Sequence, residues 1–383
     1  MKRFFILLLL CTVLLSGCMS REVEEQLLVI LMGVDKAEDG NLILTVKVPS
    51  NTAGDAGSAT NSEDASKGGN QMGYLTLSAT GHHFSDALEL LLATTPRSLN
   101  FSQVREVAIS REVAETNDFR PLLQKLYSLP RMHTQAVVVV CDGEAKKFVE
   151  EQKPYVGSRL SRYIEVSLQN YAGKGFVPTT SLAQAVQEMG YGWQDPLLIL
   201  GALPQDKEGA PDEDNVLNVD ADQLHSTSIN AVKLFGAAAT DGEKVSGTLT
   251  GYEMALVSLM LGQSQSLSLW DDQGFSLPLY ARAPATLQVR EENDKLILEA
   301  SMVCEVHYRS PYPPDEEKIR ARLEAELEST LRKLQSLRCD ALGFGGRYMR
   351  RFATVQAWEA YGWREKYVQA DIQVQVQLRL KKE

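Results

Sequence analysis

The chain has 383 residues, 44% of them hydrophobic, and a formal charge of −11 from 39 basic and 50 acidic side chains. That length suffices for two or three domains, and the net acidity argues against nucleic acid as a partner. Five cysteines, an odd and small number, exclude a disulfide framework.

Lys2 and Arg3 make a short basic start, and Phe4 to Leu15 is an apolar run broken only by Thr12. The run is too short to cross a bilayer as a permanent helix, which takes roughly 20 residues. It has the layout of a secretory signal peptide. Leu15-Ser16-Gly17-Cys18 then places a cysteine directly after two small residues, as in a bacterial lipobox. Cleavage between Gly17 and Cys18 would leave an acylated Cys18 as the new N-terminus, facing the outside of the cytoplasmic membrane. Two acyl chains suffice for stable anchoring, at about 0.8 kcal/mol per buried CH₂. Because the body is acidic, no polybasic patch is expected to assist them at an anionic lipid surface.

Leu27 to Val34 and Asn41 to Val48 flank a polar, Gly-containing turn and read as a β-hairpin. Residues 51–70 hold no large apolar side chain, and that composition predicts a disordered loop. Tyr74 to Ala79 resumes as a strand, and Ser85 to Ala93 has helical spacing that ends before Pro96. Val104 to Ile109 reads as a strand and Phe119 to Leu126 as a helix. Ala136 to Cys141 is continuously apolar, as suits a strand buried on both faces. Ala145 to Glu151 and Leu160 to Tyr171 read as further helices.

Gln205 to Asp222 carries seven acids and one lysine, with Pro204, Gly209 and Pro211, and reads as an exposed linker or long loop. Its acids lack the spacing and glycine of an EF-hand. Asn230 to Ala239 and Lys244 to Thr250 form another hairpin signal, followed by a short helix over Glu253 to Met260. Thr286 to Arg290 and Leu296 to Val306 form a third hairpin. Asp315 then caps the best helix in the chain, with Ile319, Leu323, Leu327, Leu331 and Leu334 as its apolar stripe. Glu316 with Arg320 and Glu328 with Arg332 have i,i+4 spacing. Ile372, Val374, Val376, Leu378 and Leu380 alternate with polar residues in a terminal half-buried strand.

The expected class is α+β and multi-domain, with an N-terminal mixed-sheet domain followed by a C-terminal domain of antiparallel sheet plus helices on one face. The expected divisions are a signal peptide (1–17), an N-terminal mixed α/β domain (18–203), an acidic linker (204–224) and a C-terminal α+β domain (225–383), with a further division near residue 280 left open.

No G-x-S-x-G, H-E-x-x-H, P-loop or G-x-G-x-x-G is present. Gly343-Phe344-Gly345-Gly346 follows a helix and is expected to end it. His82-His83 has no metal-ligand spacing, so a surface or capping role is expected. Cys141 and Cys304 sit in apolar runs and read as small buried side chains. An oxidising compartment would still permit one bridge among Cys141, Cys304 and Cys339. Arg347, Arg350, Arg351, Arg364 and Lys366 interleave with Phe344, Tyr348, Phe352, Trp358, Tyr361, Trp363 and Tyr367. The plain expectation is helices with an aromatic inner face and a basic outer face. A secondary one is contact with an acidic protein or with lipid headgroups. No catalytic residue, metal or cofactor is expected.

The order of segments resembles the C-subunit family of spore germination receptors, the Ger(x)C lipoproteins. Gly17-Cys18-Met19-Ser20-Arg21-Glu22 followed by Gly33-Val34-Asp35 is similar to that family's Gly-Cys-Trp-Asp-Arg-Arg-Glu and Gly-Ile-Asp, with Met19 and Ser20 replacing the Trp-Asp pair. Ser78-Ala79-Thr80-Gly81 with Pro96-Arg97 is a second match, and Ala231 to Phe235 with Gly247 to Glu253 a third. Cys339-Asp340-Ala341-Leu342-Gly343-Phe344-Gly345, with Trp358 and the terminal strand, is a fourth. The resemblance implies a non-enzymatic lipoprotein on the outer face of the spore inner membrane. It implies partners in an integral-membrane A subunit and a transporter-like B subunit, and a role in the response to nutrient germinants. The alternative from the anchor and length alone is a substrate-binding lipoprotein of an uptake system, built from two similar doubly wound lobes.

Overall fold

The computed structural model describes residues 25–50, 73–157, 159–203, 217–224, 232–270, 276–293 and 295–383. Gly17 and Cys18, the 51–70 loop and most of the acidic stretch lie outside the described residues.

The first half begins with β1 (Gln26–Leu28), β2 (Leu31–Lys36), β3 (Leu42–Ser50), β4 (Gly73–Gly81), α1 (Phe84–Thr94), β5 (Ser98–Asn100) and β6 (Glu106–Ser110). It continues through α2 (Arg111–Ala114), α3 (Phe119–Tyr127), β7 (Val137–Asp142), α4 (Ala145–Glu151), α5 (Leu160–Gly173), α6 (Leu182–Tyr191) and β8 (Leu197–Ala202). Then follow β9 (Lys233–Thr240), β10 (Val245–Leu249) and α7 (Gly251–Leu261). The last part holds β11 (Ser266–Trp270), β12 (Ser276–Ala281), β13 (Thr286–Glu292), β14 (Lys295–Tyr308), α8 (Glu316–Ser336), α9 (Phe344–Tyr348), α10 (Val355–Tyr361), α11 (Trp363–Gln369) and β15 (Asp371–Lys382). The class is α+β.

Eight strands make the first sheet, in the order β10-β9-β8-β7-β6-β2-β3-β4. β2, β6, β7 and β8 run parallel, and antiparallel strands flank them on both sides. The apolar run of β7 has the expected cause. Val138 and Val140 pack under α1, α3 and α6 on one face, while Val139 and Cys141 pack under α4 and α5 on the other. A strand covered on both faces has no polar side to show. β1 and β5 form a separate parallel ribbon beside this sheet.

Sheet membership crosses the predicted linker at 204–224. The hairpin expected to open the C-terminal domain instead hydrogen-bonds to β8, so β9 and β10 complete the first sheet. Helix α7 is buried almost all round, and its cluster joins Leu197, Ala237 and Leu249 of the first sheet to Leu298, Met302 and Leu327 beyond it. A helix apolar on every side belongs between layers rather than on a surface.

The second sheet has the order β11-β12-β14-β13, with β15 on the other edge of β14. Leu296, Leu298, Ala300, Met302, Cys304 and Val306 all face the helices, as the alternation predicts. The terminal strand departs from expectation, for β15 runs parallel to β14 from Ile297↔Asp371 to Tyr308↔Lys382. The long helix carries the chain back past the sheet, and the short helices return it to the starting end. A crossover of that kind delivers a parallel strand. Within α8, Leu323, Leu327, Leu331 and Leu334 are buried, and Asp315 accepts from the Lys318 N–H at 3.1 Å. Arg332 pairs with Glu328 as spaced, but Arg320 pairs with Glu324 and Glu317 rather than with Glu316.

Candidate functional site at the junction of the two sheets

Asp195 stands two residues before β8 and is 3% exposed. Arg364 of α11 donates to it from Nη1 at 2.9 Å and from Nη2 at 2.7 Å, a bidentate pair. The Asp340 N–H donates to the same carboxylate at 2.8 Å, and the Asp195 N–H donates back to the Asp340 carbonyl at 3.2 Å. Arg364 also donates to the Arg338 carbonyl at 2.7 Å. The first sheet and the C-terminal helices therefore meet at a polar clasp.

The Asp340 carboxylate is itself cradled. Its Oδ1 accepts from the Gly343 and Phe344 N–H groups at 3.1 and 3.0 Å. Its Oδ2 accepts from the Gly345 N–H at 2.7 Å and from the Trp363 Nε1–H at 3.1 Å. Burial pushes its carboxyl up to about 7, against these donors, which favour the charged form. The glycine run thus does more than stop a helix, because α8 has already ended at Ser336. Gly343 adopts φ +75° and turns the first N–H groups of α9 onto Asp340. Gly345 lies so close to the Trp193 carbonyl that an added Cβ would sit 2.7 Å from it.

Around the clasp the aromatic residues form one cluster. Trp363 lies 5.6 Å from Tyr348 and 5.7 Å from Trp358, centroid to centroid. Tyr361 packs against Phe352 at 5.0 Å. The aromatic inner face is as expected, but the basic residues divide. Arg364 turns inward to Asp195, while Arg351 lies over the Tyr348 ring and Lys366 over the Tyr361 ring. Arg347 and Arg350 are exposed. An open cleft of about 460 Å³ borders the clasp, with Arg120, Tyr191, Glu243, Trp358 and Glu365 among its walls.

A second charged arrangement explains Gly33-Val34-Asp35. Asp35 accepts from the Ala145 and Lys146 N–H groups at 2.6 and 2.7 Å, at the start of α4. Lys47 donates to the Val149, Glu150 and Gln152 carbonyls at 2.7, 3.0 and 2.6 Å, at its end. The first hairpin thus holds α4 at both ends with the charge signs its dipole favours. An added Cβ on Gly33 would meet the Ala145 carbonyl at 3.2 Å, so the small residue lets α4 approach. Nearby Glu106 is buried, accepts from Gln152 Nε2 at 2.6 Å, and leaves Oε2 without a partner among the described residues. Burial pushes its carboxyl up to about 8.

The third motif forms a capped turn. The Glu253 N–H donates to Thr250 Oγ1 at 3.2 Å and the Thr250 N–H to Glu253 Oε2 at 2.8 Å, while Lys333 reaches Glu253 at 2.6 Å. His82 bonds Asn41 at 2.8 Å and His83 stands at the N-cap of α1. Cys141, Cys304 and Cys339 are free and buried. Sequence reasoning missed Asp195 as the partner of Arg364, since the two lie 169 residues apart. For Asp35 and Lys47 a signal existed, because a charge on an otherwise apolar strand needs a partner.

Comparison with known proteins follows the same outline. A family model described as the spore germination protein N-terminal domain matches residues 19–201. A second, described as spore germination B3/GerAC like, C-terminal, matches residues 235–383. A Bacillus subtilis (strain 168) protein named putative spore germination protein YfkR is 21% identical over 390 residues, covering 96% of this chain and 93% of its own. The crystal structure of the GerBC protein shares the fold with a TM-score of 0.53 at 11% identity, covering 91% of this chain and 96% of that one.

Proposed function

The chain belongs to the GerAC family of spore germination proteins, and from that premise we propose that it is a lipid-anchored subunit of a nutrient germinant receptor, acting by protein contact. The observation that carries this reading is the pairing of the two family matches with Gly17-Cys18 at the head of the chain. Acylated Cys18 holds the body at the outer face of the spore inner membrane, beside integral-membrane A and B subunits. There it serves as a scaffold rather than an enzyme. The residues of the junction support a scaffold role, since their donors and acceptors are spent on one another. The uptake-protein alternative expected two similar doubly wound lobes, and the two sheets here differ in strand count and order.

The test is deletion of the gene in the sporulating host. Germination triggered by nutrients is expected to fail, while triggers that bypass nutrient receptors still act. Unchanged responses to every nutrient, in a strain without paralogues, would sink the reading.

A further inference from the structure

We propose that the face bearing the last turn of α1 and the α1–α3 groove docks on an anionic lipid surface. The proposal rests on the anchor reading and adds an orientation to it. The geometry starts at Glu25, whose carbonyl accepts from Ser98 Oγ at 3.2 Å. Ser98 begins β5, directly after α1 ends at Thr94. Six residues lie between Cys18 and Glu25, and the seven steps of chain span at most about 25 Å. An acylated Cys18 therefore holds the end of α1 close to the lipid.

What α1 presents there is unusual for this protein. Leu92, on the same side of α1 as Ser85 and Leu88, is 41% exposed, and Tyr127 at the end of α3 is 44% exposed. Between the two helices runs an apolar groove of about 410 Å³, floored by Phe84, Leu88 and Leu129. Around it the exposed Arg97, Lys125 and Arg131 stand against the exposed Asp86 and Glu89, a local excess of basic side chains in a chain of 39 basic and 50 acidic. Arg97, Lys125 and Arg131 are exposed and make no ion pair among the described residues. The polypeptide around Arg131 is tied to this end, for the His133 N–H donates to the Phe101 carbonyl at 3.1 Å, just past β5. An exposed leucine and tyrosine amid exposed cations, beside a short tether, are the features of an interfacial lipid contact. The acidic body thus carries a small cationic cluster locally.

The test uses the full lipidated chain in vesicles. Cys141, Cys304 and Cys339 are buried, so a polarity-sensitive maleimide reports only an introduced site. Leu92→Cys is compared with Tyr312→Cys, a position 81% exposed beyond β14. In phosphatidylglycerol–phosphatidylcholine vesicles the label at 92 is expected to shift to the blue and resist an aqueous quencher, while the label at 312 does not. Phosphatidylcholine alone should weaken the protection. Arg97→Gln, Lys125→Gln and Arg131→Gln should each reduce docking about fivefold, the contribution of one cation at an anionic surface. Equal quenching at 92 and 312 in a membrane-bound chain overturns the docking face alone. Protection that needs another membrane protein overturns it in favour of a protein contact. A chain released to the aqueous phase overturns the anchor reading and the docking with it.

Discussion

Arg364 reaches 169 residues back along the chain to close both carboxylate oxygens of Asp195, at 2.7 and 2.9 Å. The pair joins the entry to β8, an inner strand of the first sheet, to the last helix before the terminal strand. Its acceptor is almost wholly buried, so neither partner can be lost cheaply. Arg364→Ala is expected to destabilise the protein by about 3–5 kcal/mol, because it strands a buried charge. Urea unfolding measures this. Asp195→Asn with Arg364→Met should recover part of the loss, and a single-variant cost under about 1 kcal/mol would refute the clasp.

Glu106 makes stability depend on pH. Its carboxyl is held up to about 8 in the folded chain by burial, well above its ordinary value of 4.5. The native state therefore keeps a proton that the unfolded chain releases. This contribution is full below about pH 4.5 and is lost as pH rises through about 8. Glu106→Gln should be more stable than the parent at pH 8 and flatten this part of the profile, as thermal unfolding across pH 5 to 9 would reveal. An unchanged profile would count against a protonated Glu106.

The clamp on α4 gives a local prediction. Lys47→Met removes the donor to three carbonyls and should cost about 2–3 kcal/mol. Hydrogen exchange should show α4 opening before the central strands. Equal protection in parent and variant would mean that packing of Phe148 and Val149 alone holds the helix.

Gly236 has φ +81°, and an added Cβ would lie 2.3 Å from the Leu249 carbonyl. Gly236→Ala should weaken the β9–β10 pairing by upwards of about 2 kcal/mol, through backbone strain and steric overlap together. A fall in the unfolding midpoint reports it, and an unchanged midpoint argues against this register.

The cysteines offer a chemical check. Burial pushes the Cys304 thiol up to about 12 and also raises those of Cys141 and Cys339. A disulfide reagent should leave all three unmodified in the native protein and titrate them after urea. Cys18→Ala, in contrast, is expected to leave the fold intact and abolish partition into the detergent phase.

Much of the fold was legible because its signals are local. The alternation of Leu296 to Val306 needs only a two-residue period to announce one buried face. The stripe from Leu323 to Leu334 needs only a helical one. Val137 to Cys141 revealed burial on both faces through the absence of any polar side. The junction was less legible. Arg364 looked like one more cation on an outer face, since nothing around it in sequence names Asp195. The glycines after Leu342 looked like a helix stop, since their N–H groups reveal a purpose only once Asp340 lies beneath them.

By itself the sequence determined many of the elements and their capping, for these depend on neighbours within a few residues. Only the tertiary structure decided that β9 and β10 belong to the first sheet, that β15 runs parallel to β14, and that Asp195 meets Arg364. Strand partners and buried ion pairs follow from the path by which the chain returns. That path is set by how whole layers pack, and no short window of residues encodes it.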